Sequence, residues 1–179
     1  HWKLNDYVDE ITSNAIWSIQ CRELLKIAKK SALEAGEYIQ NNINPAFTVE
    51  SKGSNLSLAS SVVTEIDEKA QSIILNHILP TLTKYKLGLL SEELMDDASR
   101  FEKDFFWCID PLDGTLSFTE KVEGYSVSIA LVSRDGTPVL GVIYNPLKGD
   151  LYTCIKGEGA MKNEMPLRIN PSKTKFTFI

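Results

Sequence analysis

The chain has 179 residues and a formal net charge of −5 at pH 7, with 43% hydrophobic and 24% charged residues. This length is enough to bury a hydrophobic core, and length alone predicts one domain. The acidic balance argues against binding to a nucleic-acid polymer. No apolar run approaches the ~20 residues that a membrane span requires. We therefore expect a cytoplasmic protein that contacts neither nucleic acid nor membrane.

The cysteines and histidines argue against two further kinds of site. Cys21, Cys108 and Cys154 are odd in number and far apart, which is typical of reduced thiols rather than of a disulfide framework. His1 and His77 are the only histidines, so a histidine-based zinc site is not expected.

The first predicted helix runs from about Ile19 to Asn41, after a lead-in segment over residues 1–18. It ends before Asn44, because the residue that precedes a proline is biased away from helical angles. A short strand over residues 47–50 and a polar loop over residues 52–55 follow. The apolar residues of the helix recur at the spacing of one helical face: Leu24, Leu25, Ala28, Ala32, Ala35 and Ile39.

A second helix is predicted to follow Thr64, and Pro80 is expected to close it. Asp67 and Glu68 fall in its first turn, where acidic side chains complement the helix dipole. Asp67 therefore has a purely structural explanation beside any catalytic role. The apolar face of this helix consists of Ile66, Ala70, Ile73, Ile74 and Ile78.

The Asp-Pro-Leu-Asp-Gly-Thr segment that begins at Asp110 is the most informative stretch of the chain. The apolar run before it predicts a buried strand, which must end there because Pro111 cannot donate to a ladder. Asp110 and Asp113 are then held on a stiff, sharply turned backbone, as a Mg²⁺ site requires. Gly114 and Thr115 can offer backbone N–H groups to an anion. The alternative is an ordinary turn that binds nothing.

A second acidic element follows the apolar run over residues 87–91, which is also typical of a short strand. If the two strands are neighbours, Glu92, Asp110 and Asp113 come together at their ends. Adjacent carboxylates repel unless a cation neutralises them, so this arrangement favours a metal site. The alternative for Glu92 is a position in a solvated loop.

The rest of the chain is predicted to form an antiparallel meander. A short helix over residues 115–120 comes first, with its free N–H groups directed at the acidic cluster. Alternation over residues 125–131, an Asp-Gly turn over residues 134–137 and a strand over residues 138–144 indicate a hairpin. A further strand covers residues 151–155. With two helices over one face of this sheet, the predicted fold class is α+β.

Two of these segments resemble the signature of the inositol monophosphatase family, namely Ser91-Glu92-Glu93 and the run from Trp107 to Thr115. Val62–Asp67, Gly141–Pro146 and Gly157–Ala160 resemble further segments of that family, in the same order. The resemblance implies the N-terminal half of a layered α/β/α/β/α sugar-phosphatase fold. It also implies a Mg²⁺-dependent, often Li⁺-sensitive phosphomonoesterase, which acts on a small phosphorylated substrate and forms a homodimer.

The resemblance further implies roles for particular residues. Asp110 would bridge two metal ions, and Asp67 would support Thr115 in orienting and deprotonating the attacking water. The N–H groups of Gly114 and Thr115 would hold the phosphate. Lys52 matches a loop lysine near the family's site, and an ordinary exposed lysine is the alternative. The implied metal ligands are Glu92, Asp110, the carbonyl oxygen of Leu112 and Asp113, and Glu92 also belongs to the implied catalytic set.

The chain departs from the family pattern in two respects. Family members continue into a second α/β domain with a Trp-Asp motif, whereas no tryptophan of this chain precedes an aspartate. We therefore expect residues 19–170 to form an N-terminal metal-binding domain and residues 171–179 to open an absent C-terminal α/β domain. The alternative is a natural short form that is not catalytic. Leu116 and Ser117 stand where inositol monophosphatases usually have Thr-Asn, which weakens the case for inositol specificity.

Several functions remain open from the sequence. An inositol monophosphatase-like activity and a 3′(2′),5′-bisphosphate nucleotidase activity are nearly level. A non-catalytic module that binds metal or phosphate is favoured by the absent Trp-Asp aspartate and opposed by the intact Glu92, Asp110, Asp113 and Thr115. A carboxylate-pair glycosidase fits less well, because the two acids of the turn lie only three residues apart.

Overall fold

The computed structural model describes the backbone of residues 2–42, 56–120 and 122–168, and the side chains of residues 17–42, 63–120 and 122–168. The helices and strands follow one another along the chain as α1 (Trp2–Asn41), α2 (Leu56–Tyr85), β1 (Gly88–Ser91), α3 (Ser99–Glu102), β2 (Phe105–Asp113), α4 (Thr115–Glu120), β3 (Ser126–Ser133), β4 (Pro138–Asn145), β5 (Asp150–Ile155), β6 (Gly159–Lys162) and β7 (Met165–Pro166). Within these ranges, no helix is long and apolar enough to cross a lipid bilayer.

The seven strands form one sheet in which each strand pairs with its neighbours in the chain. β1 runs parallel to β2, and every later pair is antiparallel. The sheet and its helices confirm the predicted α+β class. The parallel first pair matters for the site, because parallel strands end at the same edge of a sheet and bring the residues that follow them together.

The two long helices pack on one face of this sheet, and the core lies between the layers. β3 alternates buried and half-buried residues, as expected for a strand with one covered face. Trp107 of β2 is fully buried, and its indole Nε1 donates to Thr81 Oγ1 of α2 at 2.9 Å. Burying a side chain of this size stabilises the fold by about 2–3 kcal/mol. In α1, Ala28, Ala32 and Ala35 are fully buried and let the helix approach closely.

Both long helices extend beyond their predicted limits. α1 begins at Trp2 rather than at about Ile19, and α2 begins at Leu56 rather than after Thr64. Asp67 therefore lies about three turns inside α2, and the predicted first-turn position, with its helix-dipole explanation, is wrong.

Pro80 does not close the second helix, which continues to Tyr85. A proline inside a helix costs roughly 3 kcal/mol, because it removes an N–H donor and crowds the preceding turn. Packing on both sides of Pro80 offsets this cost. Ile78 is fully buried, Thr81 accepts the Trp107 indole bond, and Leu82 packs against the core.

β2 also continues past its predicted end at Asp110 and reaches Asp113. Asp110 pairs with Ser128 and Asp113 with Ser126, so one extra residue is accommodated between the two pairs. Such a bulge tolerates a proline, because the ladder is already interrupted there. α3, β6 and β7 were not predicted, and the expected strand at 47–50 and loop at 52–55 lie outside the described residues.

Candidate metal centre

The candidate site lies where β1 and β2 end side by side. Ser91 pairs with Ile109, and the backbone N–H of Glu92 donates to the Ile109 carbonyl at 3.1 Å. The residue after β1 is therefore adjacent to the residue after Ile109, which is Asp110. The structure thus places Glu92 beside Asp110, as two neighbouring strand ends require.

Asp110 is half-buried, and its carboxyl group is crowded by other acids. Its Oδ1 accepts a hydrogen bond from the Leu112 N–H at 3.1 Å. The carboxyl of Glu92 is close enough to share a proton with it. The pKa of Asp110 is raised to about 7, chiefly by burial and then by the neighbouring carboxyl groups of Glu92 and Asp113. A divalent cation would relieve this crowding.

Asp67 approaches the same place from α2. It is 6% exposed, and its Oδ1 has no hydrogen-bond partner within the described part of the chain. The pKa of Asp67 is raised to about 7, chiefly by burial and then by the negative charges of Glu93 and Glu92. A buried carboxylate oxygen without a partner is costly, so it is suited to an external proton donor or cation.

Gly114 shapes the turn that follows the acids. Its φ is +86°, and a Cβ at this position would lie 2.1 Å from the carbonyl oxygen of Gly124. Only glycine therefore fits, because both the left-handed angle and the close approach exclude a side chain. α4 begins at the next residue, and the carbonyl of Gly114 accepts from the Phe118 N–H at 3.0 Å.

Thr115 Oγ1 and Asp67 Oδ1 form no hydrogen bond with each other in the described part of the chain. Thr115 Oγ1 donates to the Leu112 carbonyl at 3.3 Å. The Thr115 hydroxyl group and the Leu112 carbonyl oxygen, which is an implied metal ligand, are thus hydrogen-bonded to each other. The implied catalytic role of the Thr115–Asp67 pair stays a prediction.

The donor set fits a hard cation, although it is incomplete. Carboxylate and carbonyl oxygens are the ligands that Mg²⁺ prefers. Glu92 touches Asp110, while Asp113 is exposed and acts on Asp110 only through its charge. Across the described side chains, no three histidine, cysteine, aspartate or glutamate residues converge as a ready-made ligand group. Water, the Leu112 carbonyl or further groups would have to complete the shell.

The sequence reasoning missed two residues that border this site. Gln71 is buried in α2, and its Oε1 accepts a hydrogen bond from the Ser91 hydroxyl at the end of β1. Gln71 lies four residues after Asp67, and this spacing is the signal that would have indicated a shared helix face. Lys52, by contrast, lies outside the described residues.

The α+β fold and the carboxyl groups at the ends of β1 and β2 are typical of proteins that bind a cation through acidic side chains. The inositol monophosphatase family matches residues 20–178, and the chain belongs to that family. The predicted resemblance is therefore confirmed.

Similar proteins agree with this assignment. The chain is 32% identical to Nus factor SuhB of Haemophilus influenzae over 150 residues, which are 84% of this chain and 54% of that protein. It is 33% identical to inositol monophosphatase 3 of Solanum lycopersicum over 83% of this chain and 53% of that protein. The structure of inositol monophosphatase from Anabaena matches with a TM-score of 0.67 and 27% identity, over 86% of this chain and 52% of that one. The chain spans about half the length of these relatives.

Proposed function

We propose that this chain supports a Mg²⁺-dependent phosphomonoesterase that hydrolyses a small phosphate ester, of the inositol monophosphatase type. The observation that carries the proposal is the closeness of the Glu92 and Asp110 carboxyl groups beside the buried Asp67 Oδ1, which has no hydrogen-bond partner within the described part of the chain. A bound divalent cation would neutralise this concentration of negative charge and so stabilise the arrangement. Membership of the family supports the proposal but does not identify the substrate.

Glu92, Asp110, Asp113 and the carbonyl of Leu112 would hold the metal. When bound, Mg²⁺ would neutralise these groups and make an attacking water acidic enough to act at neutral pH. Asp110 and its neighbours would then be fully ionised, because a nearby cation lowers the pKa of a carboxyl group.

The remaining residues of the site would orient the water and the phosphate. Asp67 Oδ1 has no hydrogen-bond partner among the residues that the structure describes, so it can accept a proton. The Thr115 hydroxyl would turn from the Leu112 carbonyl toward this water. The backbone N–H groups of Gly114 and Thr115 would donate to phosphate oxygens, as free N–H groups at a helix start do.

Phosphate release tests the proposal. Inositol 1-phosphate, 3′-phosphoadenosine 5′-phosphate and fructose 1,6-bisphosphate would each be incubated with and without Mg²⁺. We expect Mg²⁺-dependent release that Asp113→Asn abolishes. Asp104→Asn is the matched control, since Asp104 is exposed just before the opposite end of β2 and forms an ion pair with Arg134. Release that does not need Mg²⁺, or that Asp113→Asn leaves intact, would contradict the proposal.

A 3′(2′),5′-bisphosphate nucleotidase activity is the second candidate. Leu116 directly follows Thr115 and is 71% exposed, so the rim of the turn is apolar. An apolar rim suits the flat face of a nucleobase better than the hydroxyl groups of a polyol. Preferential release from 3′-phosphoadenosine 5′-phosphate would support this candidate.

A non-catalytic role is the third candidate, and the relatives named Nus factor SuhB favour it. In that case the chain would bind Mg²⁺ without releasing phosphate from any of the three substrates. Asp113→Asn would then weaken Mg²⁺ binding, and neither the unmodified chain nor the variant would release phosphate.

A further inference from the structure

We propose that Gln71 and Ser91 form a positioning pair, which holds the turn that carries Glu92 at a set distance from α2. The inference rests on the proposed function, because it assigns the pair the task of keeping a metal ligand in place. Neither residue is itself a metal ligand or a catalytic residue.

The pair is a buried link between the helix layer and the sheet. The Ser91 hydroxyl donates to Gln71 Oε1, and the two residues are 4% and 6% exposed. They lie twenty positions apart in the sequence. A buried polar group that loses its partner costs about 1–3 kcal/mol, so the two elements are held in register at this point.

On the sheet side, Ser91 is the first residue of a tight turn. Its carbonyl accepts a hydrogen bond from the Leu94 N–H at 3.2 Å, which makes Glu92 and Glu93 the two central residues. The Glu92 N–H also donates to the Ile109 carbonyl at 3.1 Å. A movement of Ser91 is therefore passed directly to the Glu92 carboxylate.

On the helix side, Gln71 shares a face with Asp67, since residues four apart on a helix are neighbours. Asp67, one helical turn before Gln71, faces Glu92 and Glu93 of the turn, so α2 and the turn meet where acidic groups gather. The Gln71–Ser91 hydrogen bond fixes their separation with neutral groups, which add no further charge to the site.

Mg²⁺ binding to the whole chain, measured by calorimetry, tests the pair. Gln71→Met keeps an unbranched side chain of similar length but removes the hydrogen bond. We expect Gln71→Met to weaken Mg²⁺ binding about 10- to 100-fold, which is typical when a group that holds a metal ligand in place is lost. The double variant Gln71→Met/Ser91→Ala should bind Mg²⁺ no more weakly than whichever single variant has the lower Mg²⁺ affinity. The reason is that the two residues act as one unit.

Thr81→Val is the matched control. It removes the Trp107–Thr81 hydrogen bond, which is another buried link from α2 to a strand, ten residues or ~15 Å further along the helix. Both Gln71→Met and Thr81→Val should lower thermal stability, but only Gln71→Met should weaken Mg²⁺ binding. Equal Mg²⁺ affinity in both variants, at a temperature where both are folded, would overturn the positioning role.

Amide hydrogen exchange of the metal-free chain separates this inference from the proposed function. Exchange at the Leu94 N–H should become at least several-fold faster in Gln71→Met and stay unchanged in Thr81→Val. If the unmodified chain binds no Mg²⁺, the proposed function fails, and Leu94 exchange alone decides the question. Unchanged Leu94 exchange in Gln71→Met would then refute the pair.

Discussion

At the scale of single residues, the carboxyl groups of the site are destabilised as they stand. Asp67 and Asp110 both have a pKa near 7, in each case chiefly because they are buried and then because other acids surround them. The fold therefore holds these carboxyl groups close together although their ionised forms repel one another. This is typical of sites in which binding, rather than stability, determines the residues.

Asp110→Asn should stabilise the metal-free chain at pH 8 and have little effect at pH 5. The folded pKa of Asp110 is raised above its unfolded value, so its contribution to stability is full below about pH 4 and is lost as the pH rises through 7. Asparagine keeps the acceptor for the Leu112 N–H without the charge. We expect a gain on the order of 1 kcal/mol, reduced by solvent screening at this half-buried position.

Thermal unfolding in a chelator at the two pH values measures this effect. Added Mg²⁺ should raise the melting temperature of the unmodified chain but not that of Asp110→Asn. A lower melting temperature for Asp110→Asn at pH 8 in the chelator would contradict the electrostatic argument.

Gly114→Ala should destabilise the fold by more than about 2 kcal/mol, because it adds a steric clash to an unfavourable backbone angle. The new Cβ would lie 2.1 Å from the Gly124 carbonyl oxygen. Gly136→Ala is the matched control, since its φ is +87° and its Cβ would meet nothing within 4 Å. It should cost only about 1 kcal/mol in urea unfolding. Equal losses would show that the clash at Gly114 is relieved by backbone movement.

At the scale of elements, packing overrides local helix signals. α2 passes through Pro80 because the residues around it are held against the sheet. Asp67 and Gln71 lie before Pro80, within the predicted helix, and Gln71 joins α2 to the end of β1 through Ser91.

Pro80→Ala should stabilise the chain by roughly 2 kcal/mol. Alanine restores the helical N–H and removes the crowding, although it gives more freedom to the unfolded chain. Pro80 is exposed, so little packing is lost. Asn76→Ala, also exposed on α2, serves as the control and should gain no more than about 0.7 kcal/mol. Urea unfolding measures both, and a loss of stability in Pro80→Ala would mean that the proline ring itself contributes to packing.

At the scale of the whole molecule, the sheet is covered by helices on one side, and the cysteines report on this. Cys21 of α1 is buried and burial raises its pKa to about 11, whereas Cys154 of β5 is exposed. Alkylation at pH 8 followed by mass spectrometry should therefore label Cys154 quickly and Cys21 only after unfolding. Rapid labelling of Cys21 in the folded chain would show that α1 does not pack as described.

The chain spans about half the length of the relatives that it matches, so their activities and partners are proposals for this protein. The homodimer, the Li⁺ sensitivity, the cytoplasmic location and the C-terminal domain boundary stay predictions from the sequence.

The sequence by itself determined the features that depend on neighbours in the chain. The Asp-Gly hairpin turn, the alternation of β3, the short helix after Gly114 and the family signature were all predicted correctly, because turn chemistry and periodicity act over a few residues. The sequence predicted that the two acidic strand ends meet only if the two strands are neighbours, and it did not establish that they are.

Tertiary structure decided the rest. The depth of Asp67 in α2, the bulge that carries β2 past Pro111, and the hydrogen bond from Ser91 to Gln71 all join residues that are distant in sequence or override a local signal. The raised pKa of Asp110 likewise comes from burial and from Glu92, eighteen residues away in the chain. Burial and contact are properties of the packed layers, and a local pattern contains neither.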